Sequence, residues 1–180
     1  MNIRRATVED AAQIAQIHEQ TWVDTYQPII EHDDLQQITS FEHRQIMWET
    51  TLQTNHHVFV LETSEGKIVG FIAGGQARAD YLDVDGEIYN IYVSPHYQSG
   101  GHGRRLLQAF VEECEQLGFE SLLVWILTDN PNGEFYVKLG ARPIEAENVT
   151  IGKGTYEETA YGWSNIDDLK EKLMSSHSKS

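Results

Sequence analysis

The stretch IYVSPHYQSGGHGRRLL, residues 91–107, reads as the end of a strand, a glycine-rich loop and the beginning of a helix. That order points loop amides and the positive end of a helix at one spot, which makes an anion site. Gly100, Gly101 and Gly103 have no Cβ and let the backbone approach a phosphate closely, while Arg104 and Arg105 add positive charge beside them. A diphosphate is the natural occupant. Glycines in this position can also do no more than turn the chain, so the loop alone leaves both readings open. Two phosphate motifs are ruled out. The loop lacks the G-x-x-x-x-G-K-[ST] pattern, and Leu106 stands where the dinucleotide fingerprint needs its third glycine.

On the N-terminal side, residues 2–5 read as a short strand. Thr7 and Asp10 form a capping-box-like start to a helix carrying Ala11, Ile14, Ala15 and His18. The segment TWVDTYQPII breaks this periodicity, after which Phe41, Trp48 and Leu52 recur at helical spacing. HHVFVLE and KIVGFIAGG, joined by TSEG, form a hairpin signature, and GEIYNIYVS is the next strand. On the C-terminal side, Leu106, Leu107, Phe110, Val111, Cys114 and Leu117 make one helical stripe, with Gly118 placed to cap it. Cys114 is then a small core hydrophobe, and Glu112, Glu113 and Glu115 read as a solvated face. SLLVWIL is a buried strand, EFYVKLGA a short helix ending at Gly140, and RPIEAENVTI with TYEETAYGW a closing strand pair. The order is that of an α/β or α+β unit: one domain over residues 1–175, followed by a polar tail at 176–180.

The balance of 40% hydrophobic and 23% charged residues is that of a globular chain, and 180 residues suit one domain with a genuine core. A formal net charge of -15 repels nucleic-acid phosphates and favours a cationic partner. A single cysteine supports neither an internal disulfide nor a thiolate metal cluster. The histidines are scattered, and the adjacent His56 and His57 point to opposite faces of a strand, so no metal site is expected. The N-terminus has no apolar signal-peptide run, and no stretch nears the roughly 18 apolar residues of a membrane span, so a cytoplasmic protein is expected.

The loop Gln98-Ser99-Gly100-Gly101-His102-Gly103, followed by Arg104-Arg105-Leu106-Leu107, resembles the Q-x-x-G-x-G pyrophosphate loop of the GNAT (Gcn5-related) acetyltransferases. Two flanking blocks resemble the same family: the strand Glu87-Ile88-Tyr89-Asn90-Ile91-Tyr92-Val93, and Asn130-Pro131-Asn132-Gly133-Glu134-Phe135-Tyr136. The likeness covers nearly the whole chain. One departure is a spacing between Asn130 and Tyr136 that is one residue shorter than the common one, which leaves the polar role open between Asp129, Asn130 and Asn132.

The resemblance implies an α/β sandwich whose mixed, mostly antiparallel sheet has helices on both faces, with acetyl-CoA as cosubstrate and no metal. It implies a cofactor site made of Ile91, Tyr92 and Val93 through their backbones, the loop residues Gln98, Ser99, Gly100, Gly101, His102, Gly103 and Arg104, and Asn130, Asn132 and Tyr136. Glu87 takes the place of the family's general base, acting directly or through water. Tyr136 takes that of the acid that protonates the departing thiolate. An alkyl amine has a pKa of about 10.4, so a base must take its proton before attack, and a phenol at about 10 can serve a thiolate at about 8.5. Trp22, Asp24 and Tyr26, with Glu31, fall where the family builds its acceptor wall, and carboxylates beside aromatics suit a cation. The implied reaction is acetyl transfer to a primary amine of a small molecule, peptide or protein, by a monomer or a homodimer. The alternative is a silent acetyl-CoA-binding module of the same fold. A nucleotide phosphotransferase is disfavoured by the missing P-loop lysine and the lack of an obvious carboxylate pair for magnesium.

Overall fold

A computed structural model describes residues 1–36, 41–54 and 57–175. The elements are β1 (Asn2–Arg5), α1 (Ala11–Tyr26), α2 (His32–Gln36), α3 (Phe41–Gln53), β2 (His57–Glu62), β3 (Ile68–Gln76), β4 (Gly86–Val93), α4 (His102–Gln116), β5 (Leu122–Leu127), α5 (Gly133–Lys138), β6 (Arg142–Ile151), β7 (Gly154–Trp163) and α6 (Ile166–Ser175). The strands form one seven-stranded sheet in the order β1-β2-β3-β4-β5-β7-β6. Every neighbouring pair is antiparallel except β4 and β5. Among the described residues, no helix is long and apolar enough to cross a membrane. His56 and the tail 176–180 lie outside the described residues.

Two apolar layers sandwich the sheet. On one face Leu106, Leu107, Phe110 and Val111 of α4 pack with Ile72, Ile88, Leu122 and Val124, joined by Leu169 and Leu173 of α6. On the other face Ile14, Ala15 and Ile17 of α1 and Trp48 of α3 pack on Val58, Val60 and Phe71. Because both faces are covered, β3 is buried along nearly its whole length and reads as a continuous apolar run rather than an alternating one. Gly74 is needed in it, since a Cβ there would lie 2.3 Å from the Phe110 ring.

Two expectations need correction, and one helix has no counterpart among them. α1 does not stop before TWVDTY but runs on through Tyr26, because Thr21 and Tyr26 are buried and tertiary packing overrides the broken periodicity. α6 is the additional helix, with Ile166, Leu169 and Leu173 at helical spacing and buried. Glu113 is not on a solvated face. It is buried, and its carboxylate accepts from Arg5 Nη2 at 2.6 Å and meets His57 Nδ1 at 2.6 Å. Arg5, with His57 behind it, holds that carboxyl below its usual range against the effect of burial. Cys114, beside it, is fully buried, and burial pushes its thiol up to about 12, so it packs as a hydrophobe.

Candidate active site

β4 and β5 pair only from Gly86–Leu122 to Ile88–Val124. Beyond that point β4 follows β3 as far as Val93, while β5 follows β7 as far as Leu127. The break coincides with a bulge: Ala73 opposes Asn90 and Gly74 opposes Ile88, so Tyr89 is the extra residue on β4. A bulge increases local twist and bends the strand that carries it, which turns β4 away from β5 here. The resulting cleft is lined by Tyr89–Tyr92 of β4 and Val124–Ile126 of β5, with Tyr26, Asn130 and Tyr136 around it. From Tyr89 onward, β4 pairs with no residue of β5, so this edge is free to bond an extended guest. The enclosed part is narrow, about 40 Å³, and it shares Thr25, Asn130 and Asn132 with a neighbouring groove of about 750 Å³.

The glycine loop closes the end of β4. Pro95–Gly100 form a short 3-10 turn, and Gly101 enters α4 with φ +70°, a left-handed conformation that favours glycine. The first helical bond there runs from Arg105 N to Gly101 O at 3.2 Å, so the amides of His102, Gly103 and Arg104 precede it, as orphan donors at a helix start do. His102 Nδ1 is buried without a hydrogen-bond partner, and burial, then Arg105, lowers that imidazole's pKa and keeps it neutral. A loop with orphan donors, an unpartnered buried nitrogen and little side-chain bulk fits a diphosphate. The arginines contribute less directly than the sequence implied. Arg104 Nη2 donates to Lys172 O in α6 at 2.7 Å, and Arg105 Nη2 donates to Met1 O at 3.2 Å. Gln98 donates its side-chain amide to Val93 O at 3.0 Å, bracing the loop against β4 and occupying that carbonyl.

On the β5 side, Asn130 Oδ1 accepts from Asn132 N at 2.9 Å in a turn that launches α5, and Asn130 Nδ2 reaches Tyr26 Oη at 3.5 Å. Of the three residues left open by the spacing, Asn130 is the buried one, and Asp129 and Asn132 are exposed. α5 then carries Tyr136 into the cleft, 4% exposed, with its ring edge-on to Phe135 at 5.2 Å and to Trp163 at 6.2 Å. Burial, with Tyr26 adding to it, pushes the Tyr136 phenol well above its ordinary pKa, so it stays protonated through the neutral range. The sequence reading used only the backbone of Tyr92. Its side chain stacks on His18 at 5.4 Å and hydrogen-bonds the Tyr26 phenol, so three tyrosines converge on the cleft.

Residues 12–141 match the model of the acetyltransferase (GNAT) family. The chain belongs to the GNAT acetyltransferases. It is accordingly an acyltransferase. This GNAT chain is 31% identical over 173 residues to the N-acetyltransferase YuaI of Bacillus subtilis strain 168, spanning 96% of this chain and 98% of that one. Among solved structures it superposes on yncA from Salmonella typhimurium, determined with acetyl-CoA, with TM-score 0.70 and 24% identity over 93% of this chain and 94% of that one. It also superposes on the paia N-acetyltransferase of Thermoplasma acidophilum in complex with coenzyme A, with TM-score 0.65 and 18% identity over 90% and 98% of the two chains.

In this GNAT chain the carboxylate that the motif marks, Glu87, is held by an arginine. Glu87 is 1% exposed, and Arg78 engages both its oxygens: Arg78 N to Oε2 at 2.9 Å, Nη2 to Oε1 at 2.7 Å and Nε to Oε1 at 3.2 Å. The Arg78 guanidinium lies 4.4 Å over the ring of Tyr89. In this arrangement Glu87 can touch an acceptor only after Arg78 moves. Neither Arg78 nor Glu158, which enters the same neighbourhood from β7, carries a sequence motif. Of the expected acceptor wall, Tyr26 lines the cleft, and Trp22 packs on Tyr26 at 4.6 Å with the Arg44 guanidinium 5.6 Å over its ring. Asp24 is exposed, accepts from Gln20 Nε2 at 3.2 Å and lines the larger groove. Glu31 uses its backbone amide to donate to Tyr156 Oη at 3.0 Å. Among the described residues, no group of three or more histidine, cysteine, aspartate or glutamate residues is placed to hold a metal ion.

Proposed function

We propose that this protein transfers the acetyl group of acetyl-CoA to a primary amine of a small molecule or peptide, favouring a cationic acceptor. The observation that carries the reading is the split between β4 and β5, with the glycine loop at one end and the buried Tyr136 in its wall. The loop amides from Gly101 to Arg104 hold the diphosphate, with Ser99, Gly100 and His102 around it. The edge of β4 at Ile91, Tyr92 and Val93 binds the extended arm through its backbone, apart from the Val93 carbonyl that Gln98 occupies, and Asn130 and Asn132 border that arm. Tyr136 delivers a proton to the departing thiolate, and its buried position keeps that proton in place at neutral pH. Glu87 holds Arg78 over Tyr89 and fixes the charge beside the reacting centre. Trp22, Asp24 and Tyr26 form the acceptor's entry, where a net charge of -15 draws cations. Either a monomer or a homodimer can carry this chemistry, and a cytoplasmic location fits the supply of acetyl-CoA.

A thermal-shift titration with acetyl-CoA, free CoA and ATP tests the donor assignment. At about 100 times its Kd a ligand adds roughly 2.7 kcal/mol, which raises the midpoint by several degrees. A shift with both CoA species and none with ATP is expected. No shift with acetyl-CoA would discard the proposal.

A further inference from the structure

The β7 residue Glu158 stands opposite Leu127 of β5 on one side and Glu147 of β6 on the other. Residues paired across a ladder share a face of the sheet, so these three side chains project together. Leu127 packs with Tyr26, Trp22 and Ile30, which fixes that face as the one carrying the acceptor entry. Glu158 is half-buried there, within electrostatic reach of Tyr26 from α1, of Arg78 and Tyr81 from the segment between β3 and β4, and of Glu87 from β4. Its carboxyl lies beside that of Glu147, its ladder partner, whose Oε2 accepts from Tyr81 Oη at 2.8 Å.

Set beside Glu87, the contrast is one of availability. Glu87 is 1% exposed and tied to Arg78 by three hydrogen bonds, whereas Glu158 is half-buried and Arg78 acts on it only through space. We propose that Glu158 is the group that takes the proton from the incoming ammonium. The inference rests on the acetyl-transfer reading above. In the step, one N–H proton of the ammonium passes to the Glu158 carboxylate, and the freed lone pair forms the C–N bond to the acetyl carbon. As the C–S bond breaks, the thiolate takes the proton of Tyr136. The nitrogen's second departing proton restores Tyr136, and Glu158 returns its own proton to solvent. One proton therefore ends on the thiol and one in solution, and both charge and atoms balance. Burial first, and Glu147 second, raise the Glu158 carboxyl above the usual carboxylate range, against the opposing pull of Arg78. That moves it toward the pKa at which a general base works near neutrality.

The test compares Glu158→Gln, Glu158→Asp, Glu147→Gln and Glu87→Gln with the unsubstituted protein. Thiol release from acetyl-CoA is followed across pH, using whichever of spermidine, an aminoglycoside, a free amino acid or a peptide N-terminus reacts fastest. Glu158→Gln is expected to cut kcat/KM by about 10²-fold or more and to abolish the rising acidic limb, while leaving the acetyl-CoA Kd and the melting temperature unchanged. Glu158→Asp retains part of the rate. Glu147→Gln removes the like-charged neighbour and moves the rising limb to lower pH, a shift that loss of packing alone would not produce. If Glu158→Gln and Glu147→Gln keep the rate and profile of the parent while Glu87→Gln loses them, the base is Glu87 and the inference is overturned. No thiol release from the unsubstituted protein with any of these amines overturns both this inference and the acetyl-transfer reading.

Discussion

The donor and acceptor sides of the cleft differ in how far apart their parts lie along the chain. Most of the donor side is one continuous run, the β4 edge, the 3-10 turn at Pro95–Gly100 and the first turn of α4, joined by Asn130, Asn132 and Tyr136 from around α5. The acceptor side, on the proposed reading, draws Trp22, Asp24 and Tyr26 from α1, Arg78 from the segment after β3, and Glu158 from β7. On the donor side the working groups are mostly backbone amides, and side chains expected to take part are turned elsewhere: Arg104 to Lys172 O, Arg105 to Met1 O, Gln98 to Val93 O. On the acceptor side the working groups are side chains whose behaviour is set by neighbours distant in sequence. On the proposed reading, binding of the cosubstrate is thus built mostly from local conformation, and the chemistry at the amine from tertiary juxtaposition.

Breaking each side separately sharpens the contrast. The largest effect is expected from Tyr136→Phe, which should lower kcat about 10²-fold or more while leaving the acetyl-CoA Kd nearly unchanged, as measured by thiol release and by calorimetry. Turnover equal to that of the parent would remove the acid role of Tyr136. An intermediate effect belongs to Gly101→Ala, because φ +70° costs an L-residue about 1–2 kcal/mol. Expressed in binding, that weakens acetyl-CoA by about 5- to 30-fold and leaves kcat at saturation in place, the reverse of the Tyr136 pattern. A Kd that does not move would show that the loop binds without needing this turn. The smallest effect is that of Asp24→Asn. Asp24 is exposed, and such a charge contributes at most about 1 kcal/mol to a cationic ligand, so KM for the best cationic amine should rise by no more than about 5-fold. A KM that stays the same would place the cation elsewhere on the acceptor side.

Legibility in the sequence follows the same division. The hairpin of β2 and β3, the stripe of α4 and the closing pair of β6 and β7 were readable because their periodicity is local. The end of α1 and the whole of α6 are not legible in this way. In the first, Thr21 and Tyr26 are held by packing rather than by pattern, and in the second a short apolar spacing lies among charged residues. Glu113 looked like one more surface glutamate until Arg5 and His57, from β1 and β2, were brought against it.

The sequence by itself determined the glycine turn, the strand and helix that flank it, and the position of Tyr136 on a short helix after a buried strand. Those features depend on φ, on side-chain volume and on apolar spacing within a few residues. Only the tertiary structure decided which carboxylate is clamped and which is open. Glu87 accepts three hydrogen bonds from Arg78, two of them from its guanidinium, and Glu158 is carried to the face of Leu127 and Tyr26 by the pairing of β7 with β5 and β6. A carboxylate's availability depends on the charges and burial around it, and here those come from strands and helices far apart in the chain.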